Sequence, residues 1–254
     1  MDLSEYQKQD PSSKCRHPWE KTRARIALHL LTRKQQPITH LLDLGSGDAF
    51  ISGSLSNQRL AKKYSAVDPA FTLAISNSLK EKYPLLDFFR SLPEAIARNG
   101  TADGVLVMDV LEHVPDEGDL LVSLMMDEIT AASTIVLVTV PAFHSLFSNH
   151  DRGLGHYRRY TRKQLIALCA RHQLQIISSG YFFLCLLPFR VVQKIIANRR
   201  SASASVENWR GGKAGTRLIE ALLWLDFRIC RAFTAIGIHL PGLSCYCLCQ
   251  KLPS

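Results

Sequence analysis

With 254 residues, 46% of them hydrophobic and 21% charged, the chain can bury one sizeable core, which excludes a disordered or fibrous protein. Its net charge of +9 is unevenly held: residues 1–150 carry 15 Lys and Arg against 18 Asp and Glu, whereas residues 151–254 carry 16 against 4. A basic C-terminal half points to an anionic partner, and a membrane surface, a phosphorylated substrate and a nucleic acid all qualify.

The first segment, MDLSEYQKQDPSSKCRHPWEK, is polar with no apolar run, so it reads as no secretory signal. Seven cysteines without a C-x-x-C pair suit a reducing compartment, and a cytoplasmic location is the expectation. Cys245, Cys247 and Cys249 alternate along a strand and read as one buried face, not a metal site. Residues 17–34 follow as an amphipathic helix, with Ile26, Leu30 and Leu31 near helical spacing.

Apolar strands and helices then alternate: strands at 40–44, 64–68, 85–89, 103–109 and 133–140, with helices at 52–61, 70–83, near 93–98 and around 117–130. A helix at 162–172 leads to a sixth strand, 174–183, and the chain closes on a seventh, 242–251. Near-continuous Val, Ile and Leu strands alternating with helices predict an α/β fold whose mostly parallel sheet is covered on both faces. Two helices, 184–199 and 215–237, stand before the last strand, joined by a segment SASASVENWRGG that reads as flexible.

The stretch THLLDLGSGDAF places a G-x-G turn directly after the first strand. It lacks the Lys of a phosphate-gripping P-loop, and bulky Phe50 stands where a dinucleotide loop has its third glycine. What remains is bare backbone flanked by Asp43 and followed by Asp68 at the end of the second strand. Asp68 suits the hydroxyls of a ribose, and Asp43 a cationic group, so the pair suits S-adenosylmethionine, a ligand with ribose, ammonium and no phosphate. Taken alone, the glycines are equally consistent with nothing more than a tight turn.

The successive segments LLDLGSGDAF, AVDPA, DGVLVMDVLEHVPDE and IVLVTVPA resemble, in order, the motifs of class I S-adenosylmethionine-dependent methyltransferases. The flanks HPWEKTRARIALHLL, SLFSNHDRGLGHYRRYT and LPGLSCYCLCQK are similar to those of a bacterial branch of such enzymes, so the resemblance spans nearly the whole chain. It implies one domain over 1–254 with a Rossmann-like seven-stranded sheet: an N-terminal helix (17–34), a cofactor-binding core (38–142) and a helical cap (184–238). It further implies that Asp43, Gly45, Ser46 and Gly47 line the methionine part of the cofactor. Asp68, with Pro69 beside it, would line the ribose, and Asp109, Val110 and Leu111 the active-site mouth. Two departures stand out: Ala49 replaces a frequent third glycine, and FFRSLPE lacks the acidic residue that often meets adenine, leaving Ser91 or a backbone carbonyl.

Methyl transfer from a sulfonium needs an aligned nucleophile about 3 Å from the methyl, and a base only where the acceptor holds its proton tightly. Two loops at strand ends offer candidates. In DVLEHVPDE, His113 is a candidate base, with packing on the loop at a helix entry as the plainer alternative. In PAFHSLFSNHDRGLGHYRRYT, His150 and His156 are candidate bases that Asp151 would orient, with His144, Asp151, Arg158, Arg159 and Tyr160 on the acceptor side. The two arginines suit an acceptor phosphate or carboxylate, and salt bridges within a lid are the plainer alternative. His150, Asp151 and His156 are competent metal ligands, but their spacing matches no closed site, so no metal is expected.

The helices of residues 181–238 are apolar yet too short or too interrupted by charge to span a bilayer. Basic residues between them suit peripheral contact with the inner membrane face, a lid over a lipid-linked acceptor, or a cap with a solvated face. The leading expectation is a methyltransferase acting on oxygen of a small or lipid-linked acceptor. The rivals are a dinucleotide-dependent oxidoreductase and a non-catalytic cofactor-binding or membrane-associated scaffold. Nucleic acid is a weaker partner, because the basic residues accompany apolar helices and not aromatic platforms.

Overall fold

The computed structural model describes residues 16–33, 37–126, 128–197 and 212–253. The polar segment before Arg16 and the SASAS linker, with Arg199, Arg200 and Arg210, lie outside the described residues. Helix α1 (Pro18–Leu31) begins with Pro18 in its first turn and the His17 ring accepting the Trp19 N–H. The core then runs β1 (Ile38–Leu44), α2 (Phe50–Asn57), β2 (Ala61–Val67), α3 (Leu73–Lys82), β3 (Leu86–Phe89), α4 (Leu92–Asn99), β4 (Ala102–Met108), α5 (Glu117–Met125) and β5 (Thr130–Pro141). It continues through α6 (Asn149–Gly153), α7 (Arg162–Arg171), β6 (Leu174–Phe182), α8 (Leu187–Ala197), α9 (Lys213–Ala235) and β7 (Ser244–Lys251).

The seven strands form one sheet in the order β3-β2-β1-β4-β5-β7-β6, parallel except for β7, which runs antiparallel to both neighbours. Alternation along the central strands feeds two cores. Leu41, Leu106, Ile135 and Leu137 face α1 and α9 with Phe227 and Tyr246; Leu42, Val105, Val107, Val136 and Val138 face α5 and α7 with Leu121 and Leu165. Strands buried on both faces explain the unbroken apolar runs. Cys245, Cys247 and Cys249 share the second core, as a buried strand face should, and Cys247 and Cys249 meet Cys169 of α7 there.

Several boundaries differ from the sequence reading, each for a local reason. Helix α2 starts at Phe50, ahead of the expected position, because Ala49 takes a left-handed cap conformation (φ 55°) in place of a polar N-cap. β2 starts at Ala61, its exposed Lys62 and Lys63 concealing the strand. Helix α5 stops at Met125, and β5 begins at Thr130, with Ser133 in left-handed backbone (φ 67°). Helices α8 and α9 stand between β6 and β7, where the cap was expected. Of these, α9 packs on α1: Lys21 pairs with Glu220 at 2.8 Å, Arg231 bonds His29 at 3.0 Å, and Arg25 lies over the Trp224 ring at 4.0 Å.

Candidate active site

The strand order reverses between β1 and β4, and the carboxyl ends of β1, β2, β4 and β5 open a crevice at that switch point, where open α/β sheets bind ligands. Four of the seven non-glycine residues with positive φ among the described residues lie on this edge: Ala49 (φ 55°), Asp109 (φ 57°), Phe143 (φ 60°) and Phe183 (φ 66°) come after β1, β4, β5 and β6.

At the end of β1, Asp43 is buried, and burial raises its carboxyl to about 6 against the opposing bonds from Ser52. Gly45 and Gly47 adopt φ 65° and 54°. A Cβ on Gly45 would lie 2.6 Å from Val110 Cγ2, so its glycine serves close packing of the β1 and β4 loops as well as the turn. The Gly45 and Ser46 N–H groups both donate to the Val67 carbonyl, at 2.8 and 3.2 Å, and Gly47 N–H donates to Asp68 Oδ2 at 3.0 Å. Asp68 Oδ1 also accepts from Ala70 N–H at 3.0 Å, which fixes the Asp68-Pro69-Ala70 turn. Ser46 Oγ is buried with no hydrogen-bond partner among the described residues. Ser91 caps α4 by accepting the Glu94 N–H, so its hydroxyl serves the helix.

The N-terminal helix reaches this crevice in a way that sequence reasoning missed. Arg16 pairs with buried Asp48 in the glycine turn and with Glu20, and stacks over the Phe50 ring at 4.3 Å. Arg23, in the second turn of α1, pairs with Asp109 and donates to Thr139 Oγ1 at 3.3 Å. Two arginines seven residues apart around the helix start are what the sequence shows, and they do not name their partners.

After β4, Asp109 accepts from the Thr139 hydroxyl at 3.2 Å, and a 3-10 turn, Leu111–His113, carries Glu112 into the interior. Glu112 is 1% exposed, its Oε2 has no hydrogen-bond partner among the described residues, and burial reinforced by the Asp109 charge raises its carboxyl well above the ordinary value.

The structure folds the second histidine loop against this turn. Tyr157 N–H donates to the Glu112 carbonyl at 2.7 Å, Tyr160 Oη to the Leu111 carbonyl at 3.2 Å, and Arg158 pairs with Glu117 while donating to the Pro115 carbonyl. Within the loop, Asp151 is fully buried and accepts from Arg159 Nε at 2.7 Å, His156 Nδ1 at 3.1 Å, and the Ser148 N–H and hydroxyl at 2.9 and 3.0 Å. These donors hold its carboxyl far below the ordinary range despite burial. Arg159 also donates to the Ala142 carbonyl at 3.2 Å, so its guanidinium is directed inward.

Asp151 thus orients His156, five residues on, and not its sequence neighbour His150. The His156 ring meets His113 edge to face, centroids 4.5 Å apart, which unites the two loops' histidines. Burial, with Arg190 beside it, lowers the His150 pKa, while His144 is exposed and stacks on Phe147 at 5.4 Å. The cap touches the same loop: Arg190 Nη2 donates to Ser148 Oγ at 3.1 Å and Lys194 to the Ser145 carbonyl. Buried Asp226 of α9 accepts the Leu184 and Cys185 N–H groups at 3.0 and 2.8 Å, anchoring the chain as it enters α8.

The sheet order and the crevice define the class of fold: a Rossmann-like sheet of the type found in S-adenosylmethionine-dependent methyltransferases. Solved structures carry the same likeness. A SAM-dependent methyltransferase from Archaeoglobus fulgidus matches with TM-score 0.52 and 15% identity over 91% of this chain and 97% of that one. The N-methyltransferase NodS from Bradyrhizobium japonicum WM9, in complex with S-adenosyl-L-homocysteine, matches with TM-score 0.51 and 14% identity over 70% of this chain and 86% of that one. The [4+2]-cyclase SpnF matches with TM-score 0.56 and 14% identity, covering 96% and 86%. At such identities the fold is what is shared, and the presence of a cyclase underlines that chemistry must be argued from the site. No family model and no curated protein matches the chain.

Proposed function

We propose that the protein is an S-adenosylmethionine-dependent methyltransferase that methylates an oxygen of a small or lipid-linked acceptor. The observation that carries this reading is the composition of the crevice. Asp43, the orphan Ser46 hydroxyl and Asp68 frame it, while the glycine-turn amides are spent on Val67 and Asp68. Amides so engaged offer little to a pyrophosphate, which counts against a dinucleotide, whereas the two carboxylates suit an ammonium and a ribose. Asp43 and Gly45–Gly47 would hold the methionine end, Asp68 and Pro69 the ribose, and Asp109, Val110 and Leu111 the mouth. Bound S-adenosylmethionine supplies a methyl already activated on a sulfonium.

What the chain must add is alignment and, for a hydroxyl acceptor, a destination for the proton. The His113–His156 pair supplies it. With Nδ1 donated to Asp151, His156 keeps Nε2 as the basic nitrogen. His144, His150, Arg158, Arg159 and Tyr160 then shape and brace the acceptor side. A labelled-methyl transfer assay against polar and lipid extracts of the host tests this reading. His156→Ala and His113→Ala are each expected to lower turnover about 10²-fold while leaving cofactor affinity within twofold. Full activity in both variants would remove the pair from the chemistry.

The acceptor side also bears on the membrane. Among the described residues no helix is long and apolar enough to cross one. Helix α9 nevertheless carries two apolar stripes. Leu223, Phe227 and Cys230 face the core, and Leu218, Leu222, Leu225, Ile229, Phe233 and Ile236 form an outer line, each between 39% and 71% exposed. Lys213, Arg217 and Arg228 flank that outer stripe and are exposed. An apolar line edged by cations fits a helix lying in an anionic interface, which favours a peripheral site at the inner membrane face and a lipid-linked acceptor. Each cation near such a surface contributes about 1 kcal/mol. Co-sedimentation with anionic liposomes at low salt is therefore expected, with part of the bound protein released at about 0.5 M salt. Failure to pellet with anionic liposomes would favour a soluble acceptor.

A further inference from the structure

We propose that Glu112, His113 and His156 form a binding site for a divalent transition-metal ion, with a coordination position left open toward the acceptor. One ligand atom from each of the three lies within 4.8 Å of the others. An ion with bonds of about 2.1 Å separates tetrahedral ligands by about 3.4 Å, so small side-chain adjustments close the triangle. Two imidazoles and one carboxylate suit zinc, manganese, iron or cobalt better than magnesium or calcium.

Three observations point to a cation and not to a packing cluster. The first is the Glu112 Oε2 atom, buried on a residue 1% exposed and without a hydrogen-bond partner among the described residues. A buried carboxyl oxygen without a donor is costly, and a cation coordinated to it, adding to the Arg23 and Arg159 charges already near Glu112, removes the cost. The second is the support of His156: Nδ1 is bound to Asp151, which leaves Nε2 for a metal, and Asp151 is itself fixed by Arg159 and Ser148. A carboxylate behind an imidazole is the usual outer-shell support of a metal-binding histidine. The third is rigidity at the junction, where Tyr157 N–H bonds the Glu112 carbonyl and Tyr160 Oη the Leu111 carbonyl, so ligands 43 residues apart in the chain are held together.

Three protein ligands with an open position are the pattern of catalytic and not structural sites. The site lies beside Asp109, at the mouth of the proposed cofactor crevice. Its role rests on the methyltransferase reading but replaces the base in it: with His113 and His156 coordinated, an ion there would bind the acceptor oxygen and lower the pKa of its hydroxyl so that the proton passes to solvent, which sharpens the substrate class to molecules with a metal-binding oxygen. The ion's binding does not depend on that reading.

The test uses the full chain, stripped with chelator and titrated with Co2+ and Zn2+ by calorimetry and visible absorption. One equivalent is expected, with cobalt bands typical of nitrogen and oxygen ligands and a rise in Tm. His156→Ala and the near-isosteric Glu112→Gln are expected to weaken binding at least about 100-fold, with the folded state of each checked by circular dichroism. Strong thiolate-to-cobalt bands would place the ion at Cys169, Cys247 and Cys249 instead and overturn the proposal. So would the absence of binding, or affinity unchanged in both variants. S-adenosylmethionine titrated separately keeps the two readings distinct, since loss of metal binding with cofactor binding intact sinks only the metal site.

Discussion

Replacing Asp151 with alanine is expected to cost about 3–5 kcal/mol of stability, the largest effect of any single change on the acceptor side. The carboxylate is fully buried and is bonded by Arg159, His156 and Ser148, so its removal leaves the guanidinium of Arg159, itself 9% exposed, without its charge partner. Breaking one side of a buried pair costs far more than the pair contributes against apolar replacements. Asp151→Asn keeps the volume and some of the bonds, and about 1.5–3 kcal/mol is the expected loss there. Arg158→Ala provides the contrast: its pair with Glu117 lies at the rim, and about 0–1 kcal/mol is expected. Urea unfolding of the three variants checks the order. An Asp151→Ala protein as stable as its parent would show that the loop is not held from this residue.

The second large effect concerns Asp43 and pH. Burial raises its carboxyl to about 6 in the folded chain, above the roughly 3.9 of an unfolded aspartate. The ionised form, which an ammonium needs, therefore dominates only above about pH 6. S-adenosylmethionine affinity is expected to be greatest near pH 7 and to fall by up to about tenfold per unit below pH 6. The free protein responds oppositely. A raised folded pKa means that the folded chain holds the proton more tightly, so this group's effect on stability is most favourable below about pH 4. It worsens as pH rises to about 6 and is constant above. Asp43→Asn is accordingly expected to raise the stability of the free protein at pH 7 by about 1–2 kcal/mol while abolishing the pH dependence of cofactor binding. Calorimetric titrations from pH 5 to 8 on both proteins read the two effects. An unaltered pH profile in Asp43→Asn would detach the carboxylate from the ligand.

The strands were legible in the sequence because a doubly covered sheet demands apolar residues on both faces, as with Leu41 and Leu42 in HLLDL and with Leu106 and Val107 in DGVLVMD. Both histidine loops were legible by their density of titratable residues, and the glycine turn by its place after β1. Long-range pairing was not. Arg16 meets Asp48 and Arg23 meets Asp109 and Thr139 through the docking of α1 across the sheet edge, which no local pattern encodes. The choice of His156 over His150 as partner of Asp151 depends on the short helix α6, whose Ser148–Asp151 capping box turns the carboxylate inward. The orphaned Glu112 oxygen likewise exists only because the LEH turn is buried beneath the second loop. Helix α9 was legible from its apolar content, whereas its division into a covered inner stripe and an exposed outer one follows from which face α1 and β6 cover.

The most direct measurement of the central claim is a calorimetric titration of the purified chain with S-adenosylmethionine and, separately, with NADH, repeated on Asp68→Ala. One equivalent of S-adenosylmethionine is expected to bind, with NADH weaker or silent. The variant should bind S-adenosylmethionine about 10–100-fold more weakly, because the ribose hydroxyls lose their charged partner. No heat with S-adenosylmethionine, tighter binding of NADH, or an Asp68→Ala protein of unchanged affinity would contradict the account.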